Sequence, residues 1–351
     1  MFPRIINTKY FRPDRILKKL YRNLKYDVWS IASESLPDEN IKVLFAGKGN
    51  VFDGRGNVLD KNYLRSLIFN ENYDENYLGK VWIWSLFLFF WRSRKNYDLI
   101  IVRTNMKICN LFKSKKRFVV PNWVGCEIDL DGDLLSQSIS KKNFKSYIRL
   151  IKKSNFEYTI SNDPLHFKSF YHNMYLPYLS NRHGYLGFKR RLEDMKRSFE
   201  NGELLLIKDG QEIIAGVIIE YKIMKGIPEA MDLGILGGDF RYVKKGALNA
   251  IYYYTIEYLR KRNHKKFSLG GTRPFINDGL LKHKLYWGAN IVCETSQAFL
   301  LCILSHKKCI KTFLLNNPFI YKDRNGLSLA TFSKGNSKDE KRYAKYRKKL
   351  N

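Results

Sequence analysis

The sequence predicts an α/β protein built on a mixed sheet flanked by helices. Short apolar runs of strand length recur along the chain, and segments with helical spacing alternate with them. The 351 residues suffice for two ordinary domains, and 44% hydrophobic with 15% aromatic residues supply material for packed cores.

Residues 1–35 read as a basic N-terminal helical segment. Pro13-Asp14 offers a start, and Ile16, Leu17, Leu20, Tyr21 and Leu24 share one face. Arg15, Lys18, Lys19, Arg22 and Lys25 lie largely off that stripe, so the helix either docks on its own domain or lies on an anionic membrane. From about residue 40 the texture becomes α/β. IKVLFAG (41–47) reads as a strand, and YDLIIVRTN (97–105), apolar in its middle, as a central one. Between them VWIWSLFLFFW (81–91) is eleven residues long. That is half of the roughly twenty a spanning helix needs, so a buried helix is expected, with an interfacial segment as the alternative. Phe118–Val120 and CEIDLDGD (126–133) add two extended stretches. Gly47, Gly49, Gly54 and Gly56 match no phosphate-loop pattern and read as turns.

The second half is more regular. KKNFKSYIRLIKKSN (141–155) is a basic helix with Phe144, Ile148 and Ile151 on its apolar side. FEYTIS follows as a strand, then DPLHFKSFYHNMYLPYL as a helix interrupted at Pro177. ELLLIK and EIIAGVIIEY form a hairpin about Asp209-Gly210. PEAMDLGIL (228–236) is a strand, Ala247–Arg262 a long helix, KKFSLGG a strand, and NIVCETSQAFL another after a short helix. The expected division is 1–35, an N-terminal α/β half over 36–135, a second α/β domain over 136–332 and a basic tail over 333–351, frayed or a solvated helix.

A formal charge of +30 points to polyanions: nucleic acid, anionic lipid head groups, phosphorylated cofactors or acidic glycans. A Lys- and Asn-rich proteome would supply part of that excess. Five cysteines with no CxxC pair suit reduced thiols rather than a disulfide framework, and no histidine spacing suggests a metal site. MFPRIINTKYF lacks the apolar core and cleavage site of a signal peptide. The expected location is cytoplasmic, with a position peripheral to the inner face of the membrane as the alternative.

Chemistry concentrates in two stretches. In GGDFRYVKKGALNAIYYY a strand ends and Arg241, Lys244, Lys245, Gly246 and Ala247 lead into a helix N-terminus. Free N–H groups, the helix dipole and the cations favour a phosphate there, and glycine permits close backbone approach. An ordinary basic turn is the plainer reading. The order of elements from 203 to 295 resembles the GNAT acyltransferase fold, whose Arg/Gln-x-x-Gly-x-Gly/Ala loop holds the pyrophosphate of an acyl-CoA. Here Arg241 to Gly246 is longer than that pattern, and Lys244–Ala247 matches its second half. In the second stretch, Gly279-Leu280-Leu281-Lys282-His283-Lys284-Leu285-Tyr286-Trp287-Gly288 is similar to the Gly-Leu-x-x-Phe-Lys-x-x-Phe-Gly element of the FemAB-like branch. His283 stands at an aromatic position of that element, and Trp287 replaces its second Phe. SFYHNMYLPYLSNRHG (169–184) resembles the lead-in of the same domains. The resemblance covers about 135–300 and implies a tandem GNAT-like arrangement with a degenerate N-terminal half.

The resemblance implies amide formation, an acceptor amine attacking the acyl carbonyl of an acyl-CoA or related thioester. The acceptor would be a small molecule or a cell-surface glycan or lipid-linked precursor. Asp232 is the candidate base, backbone N–H groups near Leu233–Leu236 the oxyanion donors, Lys284 a group facing the acceptor or the reacting carbonyl and His183 a proton carrier. Tyr175, Arg182, Arg273, Asn277 and Trp287 would bind the acceptor, with Arg273 and Lys284 facing the cleft. Each has a plain structural alternative, such as a solvent-facing Asp, a surface Lys or a core aromatic. Aminoacyl-tRNA is the alternative donor, but it needs an extended basic face, and the chain shows no long coiled-coil arm. A rival class is a non-catalytic membrane-peripheral protein, suggested by 1–35, 81–91 and the apolar, cationic SQAFLLCILSHKKCIKTFLL (296–315).

Overall fold

The computed structural model describes residues 24–33, 40–47, 57–69, 73–112, 116–184, 189–221, 226–293, 295–332 and 337–350. The chain forms two compact units, one of residues 1–104, 112–117 and 300–310, the other of 105–111, 118–299 and 311–351. The mixed sheet flanked by helices expected from the sequence is what the chain builds.

The first unit holds β1 (Lys25–Ser33), β2 (Lys42–Gly47), α1 (Asn57–Phe69), β3 (Tyr73–Trp82), α2 (Leu86–Ser93) and β4 (Leu99–Asn105). Its strands lie in the order β3-β1-β2-β4, with β1 antiparallel to both neighbours and β2 parallel to β4. Strand β1 corrects the helical reading of 1–35 over residues 25–33. Tyr26 and Val28 are buried at period two, a bulge follows at Val28/Trp29, and Ile31 resumes the buried face. Residues 1–23 and 34–35 of that segment, and Gly49, Gly54 and Gly56, lie outside the described residues. The apolar run 81–91 also departs from expectation. It spans the end of β3, a turn and α2, and it buries Leu86 and Phe90 while leaving Trp84, Leu88 and Trp91 exposed.

The second unit begins at α3 (Met106–Leu111) and continues through β5 (Arg117–Pro121), β6 (Val124–Asp129), α4 (Leu134–Gln137), α5 (Lys141–Ser154), β7 (Glu157–Ser161), α6 (Pro164–Phe170), a π turn (Tyr171–Tyr175), α7 (Leu176–His183) and α8 (Leu192–Glu200). Then come β8 (Gly202–Asp209), β9 (Glu212–Tyr221), β10 (Pro228–Ile235), α9 (Phe240–Lys245), α10 (Ala247–Lys261), β11 (Lys266–Thr272), α11 (Gly279–Tyr286) and β12 (Asn290–Val292). The chain closes with β13 (Gln297–Ile303), α12 (Lys308–Asn316), β14 (Phe319–Lys322), β15 (Leu327–Ala330) and α13 (Ser337–Arg347). Seven strands form one sheet in the order β12-β6-β11-β10-β9-β8-β7. All its neighbours are antiparallel except β10 and β11.

Both faces of this sheet are covered. Along β8, Leu205 and Ile207 join a core with Val217, Ile219, Ala250, Ile251 and Ile256, whereas Leu204 and Leu206 join Phe167, Phe170, Met174 and Met195. That is why ELLLIK is continuously apolar rather than alternating. The helices start where the sequence caps them: Ser140 accepts from Asn143 N, and Asp163, ahead of Pro164, accepts from Leu165 N. Pro177 does not interrupt its helix, because the π turn before it absorbs the mismatch and the chain stays helical to His183.

Two further expectations change. The apolar residues of 296–315 largely pack inward: β13 is mostly buried, as are Ile310, Phe313 and Leu314 of α12, while Leu304 and the cations between them are exposed. The end of the chain is no frayed tail. Helix α13 buries Tyr343 and Tyr346, and the buried Lys349 donates through Nζ to Gly288 O (2.9 Å) and Asn290 Oδ1 (3.1 Å). All five cysteines are free. Among the described residues no helix is long and apolar enough to cross a membrane.

One glycine seats the π turn on the sheet. A Cβ at Gly234 would lie 2.6 Å from Tyr175 N and 2.7 Å from Met174 C, both backbone atoms. Gly234→Ala should destabilise the fold by about 1–3 kcal/mol in urea denaturation. Gly279→Ala, with open space around it, should stay within about 0.5 kcal/mol; equal losses would remove the packing argument.

Candidate active site

The site begins where β10 and β11 part. These parallel neighbours share one register pair, Glu229↔Ser268. Side chains reinforce that point: Ser268 Oγ donates to Glu229 Oε1 (3.2 Å) and accepts from Gly270 N (3.2 Å), with both residues buried. Immediately beyond it each strand carries an irregularity. On β10 the register against β9 slips between Ala230 and Leu233, and on β11 the register against β6 slips between Ser268 and Gly271. An extra residue bends a strand away from its partner, and two bulges at one level open a wedge. Gly270 supplies the positive φ (70°) that the β11 bulge requires.

Lys284 fastens the β11 side. Its Nζ donates to Gly270 O (3.1 Å) and Gly271 O (2.9 Å), carbonyls at the bulge. The side chain is 3% exposed, and burial pushes its pKa below the usual lysine value. This corrects the expectation that Lys284 faces the cleft: it holds the cleft wall from behind. Arg273 is likewise turned inward, with its guanidinium 4.2 Å from the Trp123 ring centroid and Nη1 3.5 Å from Asn122 O. Asn277 bonds Asn316 O and receives Arg342 Nη2, while Asp278, which accepts from Leu281 N, caps α11. Leu281 and Leu285, rather than the partly exposed Leu280, anchor that helix.

On the β10 side Asp232 lies within the irregular stretch, 6% exposed and ion-paired with Arg190. The same guanidinium donates to Asp194 O (2.7 Å) and Ser198 Oγ (2.8 Å), and Arg190 N donates to Tyr175 Oη (2.9 Å). Sequence reading missed Arg190, which stands 42 residues from Asp232 with no local pattern to mark it. Tyr175 is buried on the π turn, and burial followed by the Asp232 charge pushes its pKa well up. Arg182 is exposed on α7, its guanidinium 6.0 Å from the Tyr178 ring centroid. The His183 side chain lies outside the described set.

The proposed phosphate loop is also built differently. Arg241, Lys244 and Lys245 lie on a short helix, α9, capped by Asp239, so no open loop joins β10 to α10. Arg241 is paired with Asp239, and Lys245 with Asp209. Gly246, at φ +109°, makes the α9–α10 junction, and a Cβ there would sit 3.0 Å from Leu150 Cγ. The positive φ favours glycine there, and Leu150 of α5 packs close against it. Helix α10 starts at Ala247 with no side-chain cap. A pocket of about 510 Å³ opens directly after β10, lined by His172, Asn173, Pro177, Leu236, Gly237, Asp239 and Tyr242. A larger pocket, about 650 Å³, lies at the other end of β11. There Arg260 is bonded to Leu130 O and Gly132 O, and Lys265 to Asp131. The smaller pocket lies at the carboxyl end of β10, one strand of the sheet's parallel pair.

Trp287 is fully buried, sandwiched between Tyr147 (6.0 Å) and Tyr252 (5.8 Å), so it is core and not acceptor contact. His283 touches the same tyrosines at 5.3 and 5.0 Å, which explains an imidazole at an aromatic position. Burial, then the positive Arg182 and Lys284, push its pKa down to about 4.

No protein-family model matches the chain, and no curated protein matches it. Among solved structures it is similar to L-PGS from Bacillus licheniformis: TM-score 0.39, 12% identity, 82% of this chain and 85% of that one. It is also similar to a GCN5-related N-acetyltransferase from Kribbella flavida: TM-score 0.29, 9% identity, 90% and 69% covered. A further one is from Anabaena variabilis: TM-score 0.27, 10% identity, 88% and 72% covered.

A folded-state pKa of about 4 lies below the unfolded histidine value, so the neutral ring's stabilisation is complete above pH 6.5. It is lost as the pH falls towards 4. His283→Phe should flatten that acid limb, removing at most about 3 kcal/mol of the stability difference between pH 7 and pH 4. Urea denaturation across that range checks it, and an unchanged acid slope would assign the limb to other groups.

Proposed function

We propose that the second unit is a GNAT-type N-acyltransferase of the FemAB-like branch. It moves an acyl group from an acyl-CoA or related thioester onto an amine of a small molecule or of a glycan- or lipid-linked precursor. The observation that carries this reading is the wedge between β10 and β11, two parallel neighbours joined at Glu229↔Ser268 and parted by paired irregularities. An extended donor arm entering such a wedge can pair with strand edges as an added strand does. The pocket after β10 and the uncapped α10 N-terminus lie along the same connection, with Lys244 exposed beside them. A phosphate there would meet free N–H groups and a cation.

In the reaction the amine nitrogen forms a bond to the thioester carbonyl carbon. Backbone N–H groups of Leu233–Leu236 stabilise the oxyanion, and collapse expels the thiolate, which takes up the proton the amine gives away. Asp232, ion-paired with Arg190, fixes the irregular stretch of β10 that forms one wall of the wedge. Lys284 sets the opposite wall by holding the β11 carbonyls.

Lys244→Ala should weaken acyl-CoA binding roughly threefold to tenfold, more at low salt than at high. Calorimetry measures this, and unchanged affinity would move the donor site. Asp232→Asn should lower turnover with donor affinity retained, and wild-type turnover would remove the carboxylate from the mechanism.

A further inference from the structure

Helix α2 opens with six consecutive apolar residues, Leu86 to Trp91, before Arg92. Leu86 and Phe90 face inward at 2% and 7% exposure, yet Leu88 is 50% exposed and Trp91 61%. Trp84, in the turn just before the helix, is 64% exposed. Positions 84, 88 and 91 are spaced four and three apart, so they continue one helical face. A soluble helix normally turns polar residues outward, and this face does not.

The rings are held ready rather than loose. Trp84 stacks on Trp82 at 4.7 Å and 14°, and Lys25 Nζ lies 4.4 Å from the Trp82 centroid. The Arg94 guanidinium lies 5.2 Å from the Trp91 ring. Charge is one-sided here. Arg92, Arg94 and Lys95 are exposed, and the sequence holds no carboxylate between Glu75 and Asp98.

Indoles prefer the boundary between head groups and acyl chains, where the ring body is dry and its N–H is wet. Arginine and lysine beside them bury their stems and keep their charges among lipid phosphates. Eight residues of helix reach only about 12 Å, so α2 lies in the plane of a bilayer and does not cross it. We propose that Trp84, Leu88 and Trp91, backed by Arg92, Arg94 and Lys95, seat the first unit on an anionic lipid surface. The inference stands apart from the acyltransferase reading.

The full chain would be sedimented with phosphatidylglycerol-containing vesicles and with phosphatidylcholine vesicles. The expected result is binding to the anionic vesicles, with tryptophan fluorescence quenched by brominated acyl chains. Trp84→Ser, Leu88→Ser and Trp91→Ser together should lower vesicle affinity by roughly tenfold or more. Arg92→Gln, Arg94→Gln and Lys95→Gln together should lower it several-fold and reduce its salt dependence. Matching circular dichroism melts establish that both variants fold. Three results would overturn the proposal: no binding to anionic vesicles at low salt, binding unchanged in the serine variant, or a wild-type dimer that the serine variant turns into a monomer.

Discussion

The second unit depends on one constraint: two parallel strands that touch at a single register pair and then diverge. A parallel pair that stayed in register would leave no room between β10 and β11. Here Glu229 and Ser268 hold the strands together through side chains as well as backbone, and the irregularities beyond them force separation. Divergence costs ladder hydrogen bonds, and a buried carbonyl left unmatched costs about 1–3 kcal/mol. The Nζ of Lys284 answers that cost at the buried Gly270 and also donates to Gly271 O. Gly234 lets the π turn close the same region from the other side.

The buried charges follow from this geometry. Lys284 is tolerated in the core because its donors meet carbonyls, and Asp232 because Arg190 lies against it. Arg190 in turn is fixed by Asp194 O and Ser198, so the irregular stretch of β10 is tied to α8. These groups make walls. The exposed Lys244 and the start of α10 make the part that can still meet an anion.

Much of the second unit was legible in the sequence because its signals are local. The capped helices at Ser140 and Asp163, the Asp209-Gly210 hairpin and the long helix after Gly246 all announce themselves within a few residues. The first unit was harder. Strand β1 was hidden by a helical spacing that ran on from residues before it, and a period-two reading would have needed the bulge at Val28/Trp29. In the site, residue types were legible but directions were not. Lys284, Arg273 and Trp287 were selected by motif, and all three are buried, since the direction of a side chain on a short helix or in the turns beside it is decided by packing partners distant in the chain. Arg190 left no sequence signal, because its partner is distant in the chain.

The central claim is that the wedge between β10 and β11 receives the donor. Hydrogen–deuterium exchange with and without a saturating acyl-CoA tests it most directly. The account predicts slowed exchange over Leu233–Leu236 and the first residues of α10, with the pocket around Leu130–Asp133 unchanged. Protection at that far pocket instead, or none anywhere, would contradict it.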